Sequence, residues 1–139
     1  MAHDVAPEAI ADGDCLLRRV PDQPERMWTR SRGVLRPTSA AMKPSEADGG
    51  LSVDVRRLLA DPASPASVLG DRPDDGLVEW SAAVPRDAGL EVEHAPLPGR
   101  YSHADVLGLD RFHKAEQKRI RRELAKDAVW VQQPASAVP

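Results

Sequence analysis

Apolar and polar positions alternate along several short stretches of the chain and recur at helical spacing near its C-terminus. Leu51, Val53 and Val55 alternate with Ser52 and Asp54. From Leu77 to Val84, Val78, Trp80, Ala82 and Val84 fall on one side and Leu77, Glu79, Ser81 and Ala83 on the other. Leu90, Val92 and His94 alternate with Glu91 and Glu93. Over His103–Leu109, His103, Asp105 and Leu107 oppose Ala104, Val106 and Gly108. A period of two is the signature of a β-strand with unlike faces. Cys15–Val20 (CLLRRV), stopped by Pro21, is the first strand. Around Pro37 the segments Gly33–Leu35 and Thr38–Met42 are too short for periodicity to decide between strand and helical turn.

Helical signals are fewer. Arg56–Ala60 is compatible with one helical turn. Ser64 before Pro65, with Gly70 five residues later, predicts a short helix over Pro65–Leu69. Asp110 stands where it can cap a longer helix beginning at Arg111. Phe112, Ala115, Ile120, Leu124, Ala128 and Val131 recur near 3.6 residues, while Arg111, Lys114, Lys118, Arg121 and Arg122 form a basic stripe. Lys118 lies about 200° around from Ile120 at ~100° per residue, so the apolar and basic sides oppose each other. Val129–Val131 either continues this helix or forms a last edge strand.

The turns then set the fold class. Pro85–Gly89 reverses the chain in five residues, which suits a hairpin between Leu77–Val84 and Leu90–His94. Pro96–Gly99 ends the next strand, and neither connection has room for a helical crossover. The expectation is an α+β fold, a small mostly antiparallel sheet of five or six short strands with one amphipathic C-terminal helix. Residues 1–14, polar and acidic, read as a flexible arm, 15–133 as a single domain and 134–139 as a flexible tail. Trp28 is the expected anchor for the loop after Pro24.

Composition changes this picture little. The 139 residues fit one domain, and the Ala/Pro/Arg bias is of the kind GC-rich bacterial coding produces. Charge is more informative. The net charge of −3 divides into an acidic body, with thirteen acids against five arginines between Pro44 and Asp110, and a basic segment, with seven bases against Glu116 and Glu123 over 111–126. A basic helix on an acidic body suits a protein partner or nucleic acid. The single cysteine, Cys15, excludes an internal disulfide and reads as a small buried thiol. The acidic start lacks the pattern of a signal peptide, and no apolar run approaches the ~20 residues of a membrane span. The expected setting is cytoplasmic, with no membrane partner.

Candidate chemistry concentrates in Gly89–His113, which holds His94, His103 and His113 with Arg100, Tyr101, Asp105 and Asp110. His94 and His103 close the two ends of an eight-residue loop, so pairing of the flanking strands would bring the rings together. Asp105, two residues from His103, would share its side and orient or charge the imidazole. Such a constellation shuttles protons in phosphodiester cleavage, and with Asp105 or His113 added it can bind a divalent metal. Arg100 and Tyr101 at the loop tip would position an anionic substrate. No nucleophile elbow, P-loop or dinucleotide fingerprint occurs, and no cofactor is indicated. Ser39, Ser52 and Ser81 have no base linked to them by sequence. The first expectation is therefore a non-catalytic binding or accessory module acting through a protein partner. The alternatives are a histidine-dependent enzyme for a phosphodiester or other anionic substrate, with His94, His103 and Asp105 catalytic, and nucleic-acid binding through Arg111, Lys114, Lys118, Arg121 and Arg122.

Overall fold

The computed structural model describes residues 7–45 and 49–138 of the chain. Among these, eight strands run in the order β1 (Cys15–Val20), β2 (Trp28–Ser31), β3 (Val34–Pro37), β4 (Leu51–Val55), β5 (Gly76–Ser81), β6 (Glu91–His94), β7 (His103–Leu107) and β8 (Val129–Gln132). Two α-helices, α1 (Ala83–Asp87) and α2 (Lys114–Asp127), lie between them. Six strands form one sheet in the order β6-β7-β4-β1-β5-β8, every neighbouring pair antiparallel. β2 and β3 form a separate hairpin whose two-residue turn, Arg32-Gly33, has positive φ at both positions (53° and 77°). That turn geometry matches the twist of paired strands, at the cost of a left-handed arginine. The α+β class is as the sequence patterning implies.

The period-two alternation gives the sheet two unlike faces. Leu16, Val20, Val53, Val55, Trp80 and Val106 are buried on one, and α2 lays Ile120, Leu124 and Ala125 into the same core. The Trp80 indole donates to the Leu124 carbonyl at 2.8 Å. The 3-10 turn Ser39–Met42 packs on α2 and buries Met42 completely. On the opposite face Leu17 and Leu77 are covered by Leu69 of the 3-10 turn Pro65–Leu69, with Leu59, Val68 and Val131 around them. This second cluster does not extend over β4 and β7, whose outward side chains are Ser52, Asp54, His103 and Asp105.

Several local expectations are corrected. β5 and β6 do not pair, and they lie at different ends of the sheet. Strand β5 stops at Ser81 and the chain turns helical at Ala83, so the five-residue reversal is α1 rather than a hairpin loop. Ala82 and Ala83 are among the best helix formers, and Pro85 falls in the first turn, where a missing N–H costs nothing. The β7 strand ends at Leu107 because Gly108 takes φ 105° and opens a 3-10 turn, Leu109–Arg111. Asp110 lies inside that turn and caps nothing; α2 starts at Lys114 with His113 before it. Pro65–Leu69 is a 3-10 turn, and Ser64 makes no capping side-chain bond. Val129–Gln132 is the edge strand β8, paired to β5.

The described parts of both termini lie against the body. Ile10 and Ala137 are buried with the main core. Asp12 meets Arg86 at 2.7 Å and Asp14 meets Arg57 at 2.9 Å, so these acids are partners for arginines far along the chain. Near the C-terminus, a Cβ on Gly76 would stand 2.7 Å from the Trp130 ring and 2.9 Å from Pro134, so this close approach needs glycine. Trp28 does anchor its loop, being buried with its indole N–H on Asp22 at 3.1 Å.

Candidate functional site

β6 and β7 pair as expected, but their register sets His94 opposite Ala104 and Glu93 opposite Asp105. Directly opposed residues share a face, so His94 points into the core side of the sheet and His103 away from it. The two rings therefore stand on opposite faces and form no dyad. Both are buried, and both nitrogens of each are engaged. His94 Nδ1 accepts the Glu8 N–H (2.9 Å), which leaves Nε2–H to donate to the Tyr101 carbonyl (2.7 Å). The Tyr101 ring meets His94 edge-on, and its hydroxyl donates to the Glu8 carboxylate, so this histidine ties the N-terminal segment to the 96–102 loop. His113 is exposed at the start of α2. Among the described residues no three potential ligands come together to hold a metal ion.

His103 has different company. Its Nδ1–H donates to the Ala95 carbonyl at 2.7 Å, so in the neutral ring Nε2 is the acceptor, and it lies 2.9 Å from Ser52 Oγ. Asp105 is on the same face, as expected, with its carboxylate 3.6 Å from Nε2. Ser52 thus has the base that its sequence neighbourhood lacks.

Beside this cluster a cleft of about 1080 Å³ opens between the 96–102 loop and the segments 58–60 and 67–68. Its walls are Leu58, Leu59, Val68, Leu97, Pro98 and Tyr101, and its floor is Asp54 with Ser102. Leu97 and Tyr101 are among the few large apolar side chains left exposed, 46% and 38% respectively. Asp54, 4% exposed, accepts both Nε (2.9 Å) and Nη2 (2.7 Å) of Arg100 and the Ser102 hydroxyl (2.8 Å). A forked guanidinium on a carboxylate is the strongest neutralisation a side chain can supply, and the Asp54 hydrogen bonds raise the Arg100 pKa in return. A smaller hollow of about 280 Å³ continues inward, sharing Asp54, Val68 and Arg100 with the cleft and adding Arg18, Arg19 and Ser52.

The basic stripe of α2 lies elsewhere. Lys114, Lys118 and Arg122 are exposed, Arg121 is half-buried, and Arg111 sits 3.6 Å from Glu91. The stripe is interrupted by Arg119, which bridges Glu116 (2.9 Å) and Glu123 (3.3 Å). Of the sequence candidates, Arg100 and Tyr101 line the cleft, His103 and Asp105 stand together next to it on the strand paired with Ser52 and Asp54, and His94 and the helix residues lie elsewhere. Sequence reasoning did not bring Ser52, Asp54 and Arg18 together at a site. Ser52 and Asp54 occupy the polar positions of an alternating strand, where only the pairing of β4 with β7 reveals that they face a histidine and an arginine.

No protein-family model matches the chain, and no curated protein and no solved structure matches it either. No helix is long and apolar enough to cross a membrane among the described residues.

Proposed function

We propose that this chain is a non-catalytic binding module that holds a short segment of a protein partner in the cleft over Asp54. The observation that carries this reading is the exposure of Leu97 and Tyr101 on the rim of an apolar concavity. Its volume of about 1080 Å³ lies just above the ~300–1,000 Å³ usual for ligand pockets. The floor has no loose charge, since Arg100 and Ser102 satisfy Asp54. A random heptapeptide library displayed against the chain tests the reading. Selected peptides should share apolar residues, and Leu97→Asp should weaken them by about tenfold without moving the unfolding midpoint, because Leu97 is a rim residue. Selected peptides that bind Leu97→Asp as tightly, or a library that yields none, would refute it.

The Ser52–His103 contact favours a second reading, a hydrolase for an anionic ester. In that chemistry the Ser52 Oγ bonds to the acyl or phosphoryl centre of the ester while its proton passes to His103 Nε2 and on to the departing alkoxide as the ester bond breaks. Water, deprotonated by the same nitrogen, then releases the group from Ser52. His94 takes no part. A fluorophosphonate probe decides it: an Oγ–P bond at Ser52 with loss of fluoride supports the reading, and unlabelled Ser52 overturns it.

A further inference from the structure

Strands β1 and β4 are paired only at Leu16–Val55 and Leu17–Asp54, and beyond Leu17 they part. The Arg18 side chain fills the gap. Its Nε donates to the Ala41 carbonyl at 3.0 Å and its Nη1 to the Ser52 carbonyl at 2.8 Å, while Nη2 lies 3.5 Å from the Lys43 carbonyl. All three acceptors are backbone carbonyls, which offer partial charges only. Among the described residues no carboxylate stands within 4.0 Å of this guanidinium. The nearby Asp54 is already neutralised by Arg100 and Ser102, and the adjacent Arg19 is half-exposed with Asp75 at 3.5 Å. Burial, with the Arg19 charge adding to it, pulls the Arg18 pKa down to about 10, which still leaves it protonated at neutral pH. A half-buried, partly desolvated cation whose partners among the described residues are all carbonyls is less favourable than one that an anion reaches.

Arg18 leaves β1 on the core face with Val78, and Arg19 on the opposite face with Leu77. Because the Arg18 side chain lies in the gap between β1 and β4, it lines hollows on both sides: the one of about 280 Å³ with Arg19, Ser52 and Arg100, and one of about 260 Å³ with Met27, Ala40 and Lys43. A guanidinium carries five N–H donors, so two remain beyond the three contacts described. The first hollow opens into the apolar cleft through Asp54, Val68 and Arg100, which line both. A ligand lying across the two would place its apolar part between Leu59, Val68 and Leu97 and its anionic end at the arginines.

We infer that the inner hollow is a carboxylate site, in which Arg18, Arg19 and Ser52 receive the acidic end of the segment bound in the cleft. This rests on the binding-module reading for its occupant, and on the arginines of the inner hollow for its chemistry. Arg18 and Arg19 form charge-assisted hydrogen bonds to the carboxylate, and the Ser52 hydroxyl turns from His103 to donate to it. The carboxylate comes either from the segment's C-terminus or from a Glu or Asp side chain.

The experiment has two arms. In the first, a library-selected peptide is made with a free C-terminal acid, with a C-terminal amide, and with each Glu or Asp replaced by its amide, and titrated calorimetrically. Loss of the carboxylate that docks should weaken binding about tenfold, the scale of one charge-assisted contact, and Arg19→Gln and Arg18→Lys should each remove most of that difference. Which of the amidated peptides loses affinity identifies the source. Arg19→Gln alters a half-exposed side chain, so it carries the test if Arg18→Lys fails to fold. If acid and amide forms bind alike yet both lose affinity to Leu97→Asp, the carboxylate site is wrong and the cleft reading stands. In the second arm sodium acetate is titrated at constant ionic strength while backbone amide resonances are followed. Saturable shifts at Arg18, Arg19, Ser52 and Asp54 support the site even if no peptide is selected; changes no larger than with sodium chloride overturn it.

Discussion

Truncating Leu124 to alanine isolates the packing that joins α2 to the sheet. The side chain is 2% exposed and shares its core with Trp80, Met42 and Ile120, which are themselves buried. Removing three carbons at ~0.8 kcal/mol each gives about 2.4 kcal/mol of lost transfer energy. A residual cavity adds to this, and buried Leu→Ala changes span about 2.7–5.0 kcal/mol. Closure of the cavity is resisted from the sheet side and from the Ser39–Met42 turn, so about 3–4 kcal/mol is expected. The Trp80 indole bond survives, because its acceptor is the Leu124 backbone carbonyl. The loss is therefore one of packing alone. For 139 residues at ~2.1 cal/mol/K each, this should lower the Tm by roughly 10–14 °C. Arg122→Ala, on the exposed side of the same helix, should change stability by no more than about 0.5 kcal/mol. Urea melts followed by tryptophan fluorescence measure both. A Leu124→Ala loss below about 1 kcal/mol, or a larger loss from Arg122→Ala, would mean that α2 does not pack by this face.

Arg100→Ala strips the buried Asp54 of its fork and leaves only the Ser102 hydroxyl; because Arg100 is 44% exposed, screening reduces the usual ~3–5 kcal/mol for a broken buried pair to about 1–3 kcal/mol. The urea midpoint checks this, and no change would show that the ion pair contributes nothing. Burial, reinforced by the Glu79 carboxylate that accepts its S–H, pushes the Cys15 thiol up to about 12. Alkylation at pH 8–9 should accordingly be slow in the folded chain and fast in urea, and the stability held by the neutral thiol should decline as pH rises above ~8.5, the unfolded value; equal alkylation rates would contradict this. Burial by itself would raise the Asp22 carboxyl, but the Ser136 hydroxyl and N–H and the Trp28 indole outweigh it and hold the pKa below the ordinary value. Asp14 behaves alike, its burial outweighed by Arg57 and the Ala11 N–H. Groups depressed in the fold stabilise it above their unfolded pKa and lose that contribution as pH falls through the folded one, so the urea midpoint should decline below about pH 4, less steeply in Asp22→Asn. A midpoint constant down to about pH 2 would contradict the assignment.

Strands β4, β6 and β7 and the buried face of α2 were legible in the sequence because their apolar positions recur at a fixed period. Strands β1 and β5, buried on both faces, were legible as short apolar runs, whereas the sequence of β8 fits helix and strand alike. Ile120 and Leu124 are buried and Lys118 and Arg122 exposed, as their spacing requires. Strand order was not legible. The alternation that marks Leu77–Val84 says nothing about its neighbours, and Ala82-Ala83-Val84 fits a strand face and the start of α1 equally well. The hairpin expected there gives way to a connection that carries the chain to the other end of the sheet. The site was obscured for the same reason. His94 and His103 are an odd number of residues apart on opposed strands, and only the register, His94 against Ala104, shows that they point to opposite faces. Arg18 lies in an apolar strand, where nothing in the sequence marks the parting of β1 from β4.

The cleft over Asp54 as the binding surface is tested most directly by mapping a library-selected peptide onto the protein through its backbone amide shifts. On this account saturable changes are expected at Leu58–Ala60, Ser67–Val68 and Leu97–Ser102 around the cleft, and at Arg18, Arg19, Ser52 and Asp54 where the acidic end of the peptide docks. Changes confined instead to the exposed side of Lys114–Lys126, with the cleft amides unmoved, would contradict it.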